Sequence, residues 1–248
     1  PRAMGFVTLL GVAVFAFGPP LALLFSVVAR RAQLVLVTVT SAFFELLALI
    51  FTGLLFFLIP VLAEMPLLTA AFGVAIQEAS RFGYLSIYVK SDDRVEAMCS
   101  ASDRTPFSDF ASAVAAGLGF ALMNSLIMYG GVLQAALQPG DLYTDACPRV
   151  SLFVLSALLA LMFQALNMAL MVLGLDALRR PSGSMDRRVR IVLVVCAHFV
   201  ATFLGALNDN AEAGGCATGI TLQALVVTLV VAETVRTVRS KSYAMLSH

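Results

Sequence analysis

The side chains best able to do chemistry in this apolar chain are Gln77, Glu78 and Arg81, which close a hydrophobic run beginning near Leu67. A charge near the centre of a bilayer costs roughly 2.5 to 3.5 kcal/mol even on the lenient insertion scale, so it persists only with a partner, water or a function. Residues spaced i, i+3 and i, i+4 share one helical face. The stretch indicates either a Glu78–Arg81 ion pair at a helix end, with Arg81 reaching toward the membrane interface, or an inward-facing polar centre that other helices contact.

A second polar position is His198, which lies in the middle of another apolar run, whereas the other histidine, His248, is terminal. An imidazole at that depth needs a hydrogen-bond partner, and Gln164 and Asn167 lie at similar depth in the preceding run. Catalytic zinc usually has three protein ligands, and the sequence contains no H-E-x-x-H string. We therefore expect no metal site and no cofactor.

Motifs of known intramembrane and nucleotide-dependent enzymes are absent from the sequence. It contains neither the Gly-x-Gly-Asp of presenilin-type aspartyl proteases nor the Gly-x-Ser-Gly of rhomboid-type serine proteases, and it contains no P-loop. We expect no catalytic residue of these classes.

Small residues recur every fourth position at Gly117, Ala121 and Ser125. Such spacing gives a smooth strip where another helix can approach closely, and lipid supplies no hydrophobic force to replace that packing. The pattern predicts a helix contact, which could lie within this chain or with a partner.

The composition identifies the class of protein. Of the 248 residues, 60% are hydrophobic and 12% are charged, against about 45 to 50% and 25% in soluble domains. This indicates an all-α, polytopic membrane protein whose residues 1–248 form one transmembrane domain in the lipid bilayer. The net charge of +1 comes with basic residues dispersed at helix ends, so no nucleic acid partner is expected.

Seven apolar runs are long enough to span about 30 Å of hydrocarbon, which takes roughly 20 residues each. We expect Gly18-Pro19-Pro20 to kink or unwind the first run, and Ser91–Pro106 to form a polar loop. The predicted helices cover about residues 4–28, 34–62, 64–90, 107–137, 149–178, 187–207 and 214–238.

The basic residues predict the orientation. Apart from Arg2, Arg81 and Arg149, thirteen of the sixteen Lys and Arg residues fall on one side of the seven predicted crossings. Because Lys and Arg are retained in the cytosol, we expect a lumenal or extracellular N-terminus and a cytosolic C-terminus. Cys147 and Cys216 would then both be lumenal, where they could form a disulfide or remain two free thiols.

Several short strings occur in a fixed order along these runs, from about Phe15 to Arg239. They are Phe15-Ala16-Phe17-Gly18-Pro19, Ala42-Phe43-Phe44, Gln77-Glu78-Ala79-Ser80-Arg81-Phe82, Arg104-Thr105-Pro106, Asp176-Ala177, and His198 followed ten residues later by Asn208. In this order and spacing the chain resembles the anterior-pharynx-defective, or Aph-type, scaffold subunit of gamma-secretase.

The resemblance implies a non-catalytic seven-helix scaffold of the endoplasmic reticulum, Golgi and plasma membrane. It implies three partners: a presenilin-like aspartyl protease, a nicastrin-like glycoprotein and a presenilin-enhancer-like small subunit. Such a complex would cleave type I membrane proteins within the membrane. The family's glycine zipper falls on Gly117, Ala121 and Ser125, and its two intramembrane histidines fall on Asn167 and His198. Glu45 stands where the family usually has an aromatic residue.

Two other functions stay open. The family looks distantly related to intramembrane glutamic endopeptidases, in which a Glu and two His activate water, and Glu78, Asn167 and His198 would be the corresponding residues. Asn167 cannot act as a base, so hydrolysis is disfavoured. Polar residues in several helices, together with the Gly-Pro break in the first, are also typical of small-molecule transporters, although no internal repeat is visible.

Overall fold

The computed structural model describes residues 2–98, 107–135, 142–209 and 215–246. In these ranges the chain forms eight α-helices, of which α3 is a single short turn. They are α1 (Arg2–Leu23, continued by a π-helical turn at Leu24–Val28), α2 (Ala32–Leu58), α3 (Pro60–Ala63), α4 (Pro66–Met98), α5 (Phe107–Ala135), α6 (Leu152–Leu178), α7 (Met185–Ala206, continued by a 3-10 turn at Leu207–Asp209) and α8 (Gly215–Leu246).

Six helices in the described ranges are long and apolar enough to cross a membrane, namely α1, α2 and α5–α8. The prediction of an all-α polytopic membrane protein is therefore confirmed. The helix α4 has 33 residues, more than the roughly 20 that a crossing needs, but its charged side chains set it apart from the other six. The seventh crossing through α4, the single domain and the orientation of the termini stay predictions.

The central helix is α5, because its small residues let two neighbours approach it closely. A Cβ atom added at Gly117 would lie 2.6 Å from the Met168 Cα of α6. On the opposite side, a Cβ atom at Gly119 would collide with Thr38 and Ser41 of α2. Consequently α5 is enclosed between α2 and α6, and polar side chains on neighbouring helices need to span only short distances.

The outer helices present apolar side chains to the outside. Phe25 on the π-helical turn and Phe57 on α2 are 68% and 80% exposed. Such exposure would be costly in water, whereas hydrocarbon accepts it. The exposed apolar surface therefore agrees with the membrane location that the composition indicates.

Proline has different effects at two places in the chain. Of the kink or unwinding expected at Gly18-Pro19-Pro20, the unwinding is wrong, since α1 remains helical through both prolines and the irregular turn follows at Leu24–Val28. Local π-helical adjustment is one way in which membrane helices tolerate proline. The helix α2 ends at Leu58 rather than Leu62, because Pro60 disfavours helical geometry at Ile59, which has φ −126° and ψ 77°.

Other boundaries moved where the helices leave the apolar runs. The helix α4 continues beyond Lys90 to Met98, so the predicted loop from Ser91 does not begin there, and α8 continues beyond Val238 to Leu246. The helix α6 begins at Leu152 rather than at residue 149. The backbone N–H of Leu152 donates to the carbonyl oxygen of Leu142 at 2.7 Å. Some of the predicted features lie outside the described residues. They are the Arg104-Thr105-Pro106 string, the predicted helix limits at residues 137 and 214, and His248, which fall in residues 99–106, 136–141, 210–214 and 247–248.

Arg179 joins three helices at one end of the bundle. Its guanidinium, at the C-terminus of α6, donates to Asp93 of α4 at 2.8 Å and to Asp109 of α5 at 3.1 Å, and it also contacts Asp92. Burial alone would lower the pKa of Arg179, but the hydrogen bond that it donates to Asp92 and the negative charges of Asp109 and Asp92 raise it above its ordinary value. Arg179 therefore stays charged and holds these helix ends together.

The opposite end carries a disulfide between Cys147 and Cys216, whose Cα atoms are 5.5 Å apart. It links the segment before α6 to the first turn of α8. Gly215 precedes it with a φ of +59°, a conformation that side chains rarely adopt. Of the two alternatives open from the sequence, the structure has the paired one.

Candidate functional site

Arg81 forms the middle of a buried polar centre and is completely shielded from solvent. Its Nε donates to Glu78 Oε1 at 2.9 Å, and its two terminal nitrogens donate to the Asn167 carbonyl oxygen at 3.1 Å and to Asn167 Oδ1 at 2.6 Å. The ion pair and the inward-facing centre therefore occur together. The expectation that Arg81 reaches the membrane interface is wrong, because α6 supplies its acceptors inside the bundle.

Glu78 connects this pair to a third helix. Its Oε1 atom also lies 2.5 Å from His198 Nδ1 of α7, and both side chains are almost fully buried. Its Oε2 atom has no hydrogen-bond partner among the described residues. One carboxylate oxygen therefore binds both the guanidinium and the imidazole, which fixes α4, α6 and α7 relative to one another.

The central helix α5 contributes an aromatic ring. The Arg81 guanidinium carbon lies 5.4 Å from the centroid of the fully buried Phe120 ring. A cation over an aromatic face is attracted to the ring's negative quadrupole. Nothing in the sequence marks Phe120 as part of the site, because the contact depends on how α4 and α5 are aligned in depth.

A second carboxylate, Glu45 of α2, lies beside the polar centre and is 1% exposed. Its Oε1 atom accepts a hydrogen bond from Asn124 Nδ2 of α5 at 3.0 Å. If ionised, its carboxylate would be close enough to interact electrostatically with Arg81 and Glu78. The sequence shows Glu45 as an isolated charge in an apolar run, but only the structure supplies its partner.

Gln77, predicted to belong to the polar centre, faces a cavity instead. The cavity measures about 760 Å³ and is bounded by α2, α4, α5, α6 and α7. Its walls are mostly apolar, while Gln77, Asn124, Ser125 and His198 supply polar groups. Of the five predicted centre residues, the structure joins Glu78, Arg81, Asn167 and His198 by hydrogen bonds and places Gln77 on the neighbouring cavity wall.

The small residues Gly117, Ala121 and Ser125 are all buried within this chain. Gly117 fits against the backbone of Met168 on α6. The predicted helix contact is therefore internal for Gly117, whereas Ser125 lies on the wall of the cavity described above.

The geometry determines what this centre can do chemically. A Glu–His pair could transfer protons, but Glu78 is also bound by a guanidinium, and Asn167 is neutral. No group of three His, Cys, Asp or Glu residues in the described ranges could hold a metal ion. Buried charges that are paired in this way fix the arrangement of helices, and removing one partner leaves an uncompensated charge.

Comparison with known proteins shows likeness to one protein family along most of the chain. A sequence model of the family described as Aph-1 protein matches residues 7–241. The chain is 27% identical to the Gamma-secretase subunit APH1-like of Arabidopsis thaliana over 227 residues, covering 89% of this chain and 88% of the relative.

Two animal proteins show a similar level of identity. The Gamma-secretase subunit Aph-1b of Danio rerio is 27% identical over 88% of this chain and 85% of its own length. The Gamma-secretase subunit Aph-1 of Drosophila melanogaster is 28% identical over 81% of each chain. In all three alignments the likeness extends over most of both proteins, so it reaches well beyond the polar centre.

Proposed function

The chain belongs to the Aph-1 protein family, and from this membership we propose that it is the scaffold subunit of a gamma-secretase-type intramembrane protease complex. The observation that carries the proposal is the family match over residues 7–241. The relatives' names identify them as gamma-secretase subunits, and the polar centre offers a physical basis for a structural role.

The role we propose is non-catalytic. Arg81 and His198 both bind the same oxygen of Glu78, so the carboxylate is engaged by two groups of the protein itself. A general base must instead reach the proton that it removes from water or substrate. The centre therefore fixes the positions of α4, α6 and α7, and through them the outer surfaces that partners would contact.

The proposed partners are a presenilin-like aspartyl protease, a nicastrin-like glycoprotein and a presenilin-enhancer-like small subunit. They would pack against exposed apolar faces such as that of α2, because membrane helices associate through close packing of such surfaces. We place the complex in the endoplasmic reticulum, Golgi and plasma membrane, with this chain's N-terminus lumenal and its C-terminus cytosolic, and propose type I membrane proteins as its substrates.

Affinity purification tests this proposal. The tagged chain is solubilised in a mild detergent and purified from its own cells, and the co-purifying proteins are identified by mass spectrometry. We expect an intramembrane aspartyl protease with two further membrane proteins in fixed ratio. The matched control is another tagged multi-pass protein of the same membranes. Recovery of this chain alone, under conditions that preserve other membrane complexes, would contradict the proposal.

The contact of 2.5 Å between Glu78 and His198 is the one observation that favours the alternative, an intramembrane glutamic endopeptidase. The purified chain is incubated with a prenylated peptide and with a helical membrane peptide. We expect no cleavage of either. Cleavage that disappears in Glu78→Gln would establish the alternative, while cleavage that survives this substitution would point to a contaminating protease.

A further inference from the structure

A carboxyl group without a cation of its own lies next to the polar centre. The only cation acting on Glu45 within the described ranges is Arg81 of α4. The guanidinium of Arg81 already donates to Glu78 and twice to Asn167. Two carboxylates therefore share the surroundings of one arginine, which is bonded directly to only one of them.

Burial makes this imbalance costly. Glu45 is 1% exposed, and its Oε2 atom has no hydrogen-bond partner in the described part of the chain. Its Oε1 atom accepts from the neutral amide of Asn124, which is compatible with an ionised or a protonated carboxyl. A buried ion without a counter-charge is far more costly than a buried neutral acid, so such a group takes up a proton.

None of the groups packed around Glu45 is a better acceptor for this proton. From α4, Glu78 is ion-paired with Arg81; from α7, His198 reaches Glu78 rather than Glu45; and α5 offers Asn124, which does not titrate. We propose that Glu45 is a buried proton-binding site, holding one proton at neutral pH while Glu78 remains ionised. With Glu45 neutral, the charges of Glu78 and Arg81 cancel.

Infrared spectroscopy of the purified full chain tests the proposal directly, because a neutral carboxylic acid and a carboxylate absorb at different frequencies. We expect a signal from a buried protonated carboxyl at neutral pH, lost in Glu45→Gln and retained in the control Glu233→Gln, whose carboxylate lies outside the polar centre and pairs with Arg236. A signal absent from the unsubstituted protein, or unchanged in Glu45→Gln, would overturn the proposal.

The pH dependence of unfolding gives a second, independent measurement. In the unfolded chain Glu45 has the ordinary glutamate pKa of about 4.3 and is ionised above that pH. The folded protein would therefore hold one more proton than the unfolded chain around neutral pH. Stability should therefore fall as the pH rises above about 4.3, with the unfolding constant of the unsubstituted protein increasing by about tenfold per pH unit relative to Glu45→Gln until the folded Glu45 itself ionises. The subtraction removes the contribution of His198, which both proteins contain. Equal pH dependence in the two proteins would exclude the proton.

A bound monovalent cation could compensate Glu45 in place of a proton, and salt exchange separates the two. Replacing sodium and potassium with choline should leave the stability of the unsubstituted protein and of Glu45→Gln equally unchanged. Selective destabilisation of the unsubstituted protein in choline would show a cation at Glu45 and overturn the proposal.

Discussion

Arg81 is the side chain on which the polar centre most depends, because it contacts Glu78 on its own helix, Asn167 on α6 and Phe120 on α5. A planar guanidinium can make these contacts at once, whereas a lysine ammonium is a compact point charge. The residue is thus more than one half of an ion pair, since it positions three helices.

We predict that Arg81→Met destabilises the chain by about 3 to 5 kcal/mol, because it leaves the buried Glu78 carboxylate without a cation. The measurement is thermal unfolding in detergent, together with the yield of monodisperse protein. The melting temperature of Arg81→Lys should lie between those of Arg81→Met and the unsubstituted protein, since lysine keeps the charge and loses the pairing with Asn167. Equal melting temperatures for all three proteins would show that the charge is compensated in another way.

At this scale the sequence predicts contacts within a helix better than contacts between helices. The Glu78–Arg81 pair follows from a spacing of three residues, which helical geometry brings together. Asn167 and His198 were indicated by their depth and by the family resemblance. Phe120 and the partner of Glu45 could not be predicted, because a shift of one residue between two helices would give each a different neighbour.

Among the helices, α5 has the least freedom, because two of its glycines face the backbones of neighbouring helices. Gly117 approaches α6 and Gly119 approaches α2. Close helix packing of this kind replaces the hydrophobic force that lipid does not supply. The position of α5 between α2 and α6, and therefore that of Phe120 beside Arg81, relies on this packing.

We predict that Gly117→Leu destabilises the chain itself by roughly 2 kcal/mol or more, because overpacking forces backbones apart. The matched control is Gly83→Leu on α4, where nothing among the described residues lies within 4 Å of the added Cβ atom. Both are followed by thermal unfolding. If Gly117→Leu has the same melting temperature as the control and differs only in failing to co-purify with partners, then Gly117 acts in assembly and not within the chain.

The positions of the helices followed from the apolar runs, since burial in hydrocarbon requires long hydrophobic segments. Their ends were less predictable. Beyond Lys90, Asp92 and Asp93 of α4 contact Arg179, 86 residues away from Asp93 in sequence. Charged residues after an apolar run are typical of a loop, and this contact with a distant arginine is not visible in the sequence.

For the whole molecule, the two ends of the bundle are held by different chemistry. One end has the Arg179 cluster, which joins α4, α5 and α6, and the opposite end has the disulfide. The all-α polytopic class followed directly from composition. The disulfide pairing did not, because sequence separation contains no information on whether two Cα atoms come within bonding distance.

We predict that Arg179→Met costs roughly 1 to 2 kcal/mol, less than a fully buried pair, because Asp93 and Asp109 are partly exposed and solvent screens them. Hydrogen exchange should increase in the last turns of α4 and the first turn of α5. The control is Arg236→Met, since the side chain of Arg236 is 85% exposed in its pair with Glu233. Exchange confined to α6 would mean that Arg179 does not join the helices.

Replacing both cysteines, in Cys147→Ser with Cys216→Ser, should lower the melting temperature of the purified protein. The disulfide closes a loop with a sequence separation of 69 residues, and a crosslink of this kind restricts the unfolded chain. A reducing agent should have the same effect on the unsubstituted protein and none on the double variant. A melting temperature insensitive to both changes would show that the helices alone hold this end.

The separation in sequence of the groups around Arg81 affects how the protein is made. The ribosome completes α4 with Glu78 and Arg81 long before their later partners exist, because Asn167 follows Arg81 by 86 residues and His198 follows Glu78 by 120. At about 5 to 20 residues per second, the imidazole arrives roughly 6 to 24 seconds after the carboxylate. Throughout that interval the nascent segment carries its own counter-ion one helical turn away. The pairing of neighbours within α4 thus lowers the cost of the two charges in an apolar environment before the rest of the bundle has been synthesised.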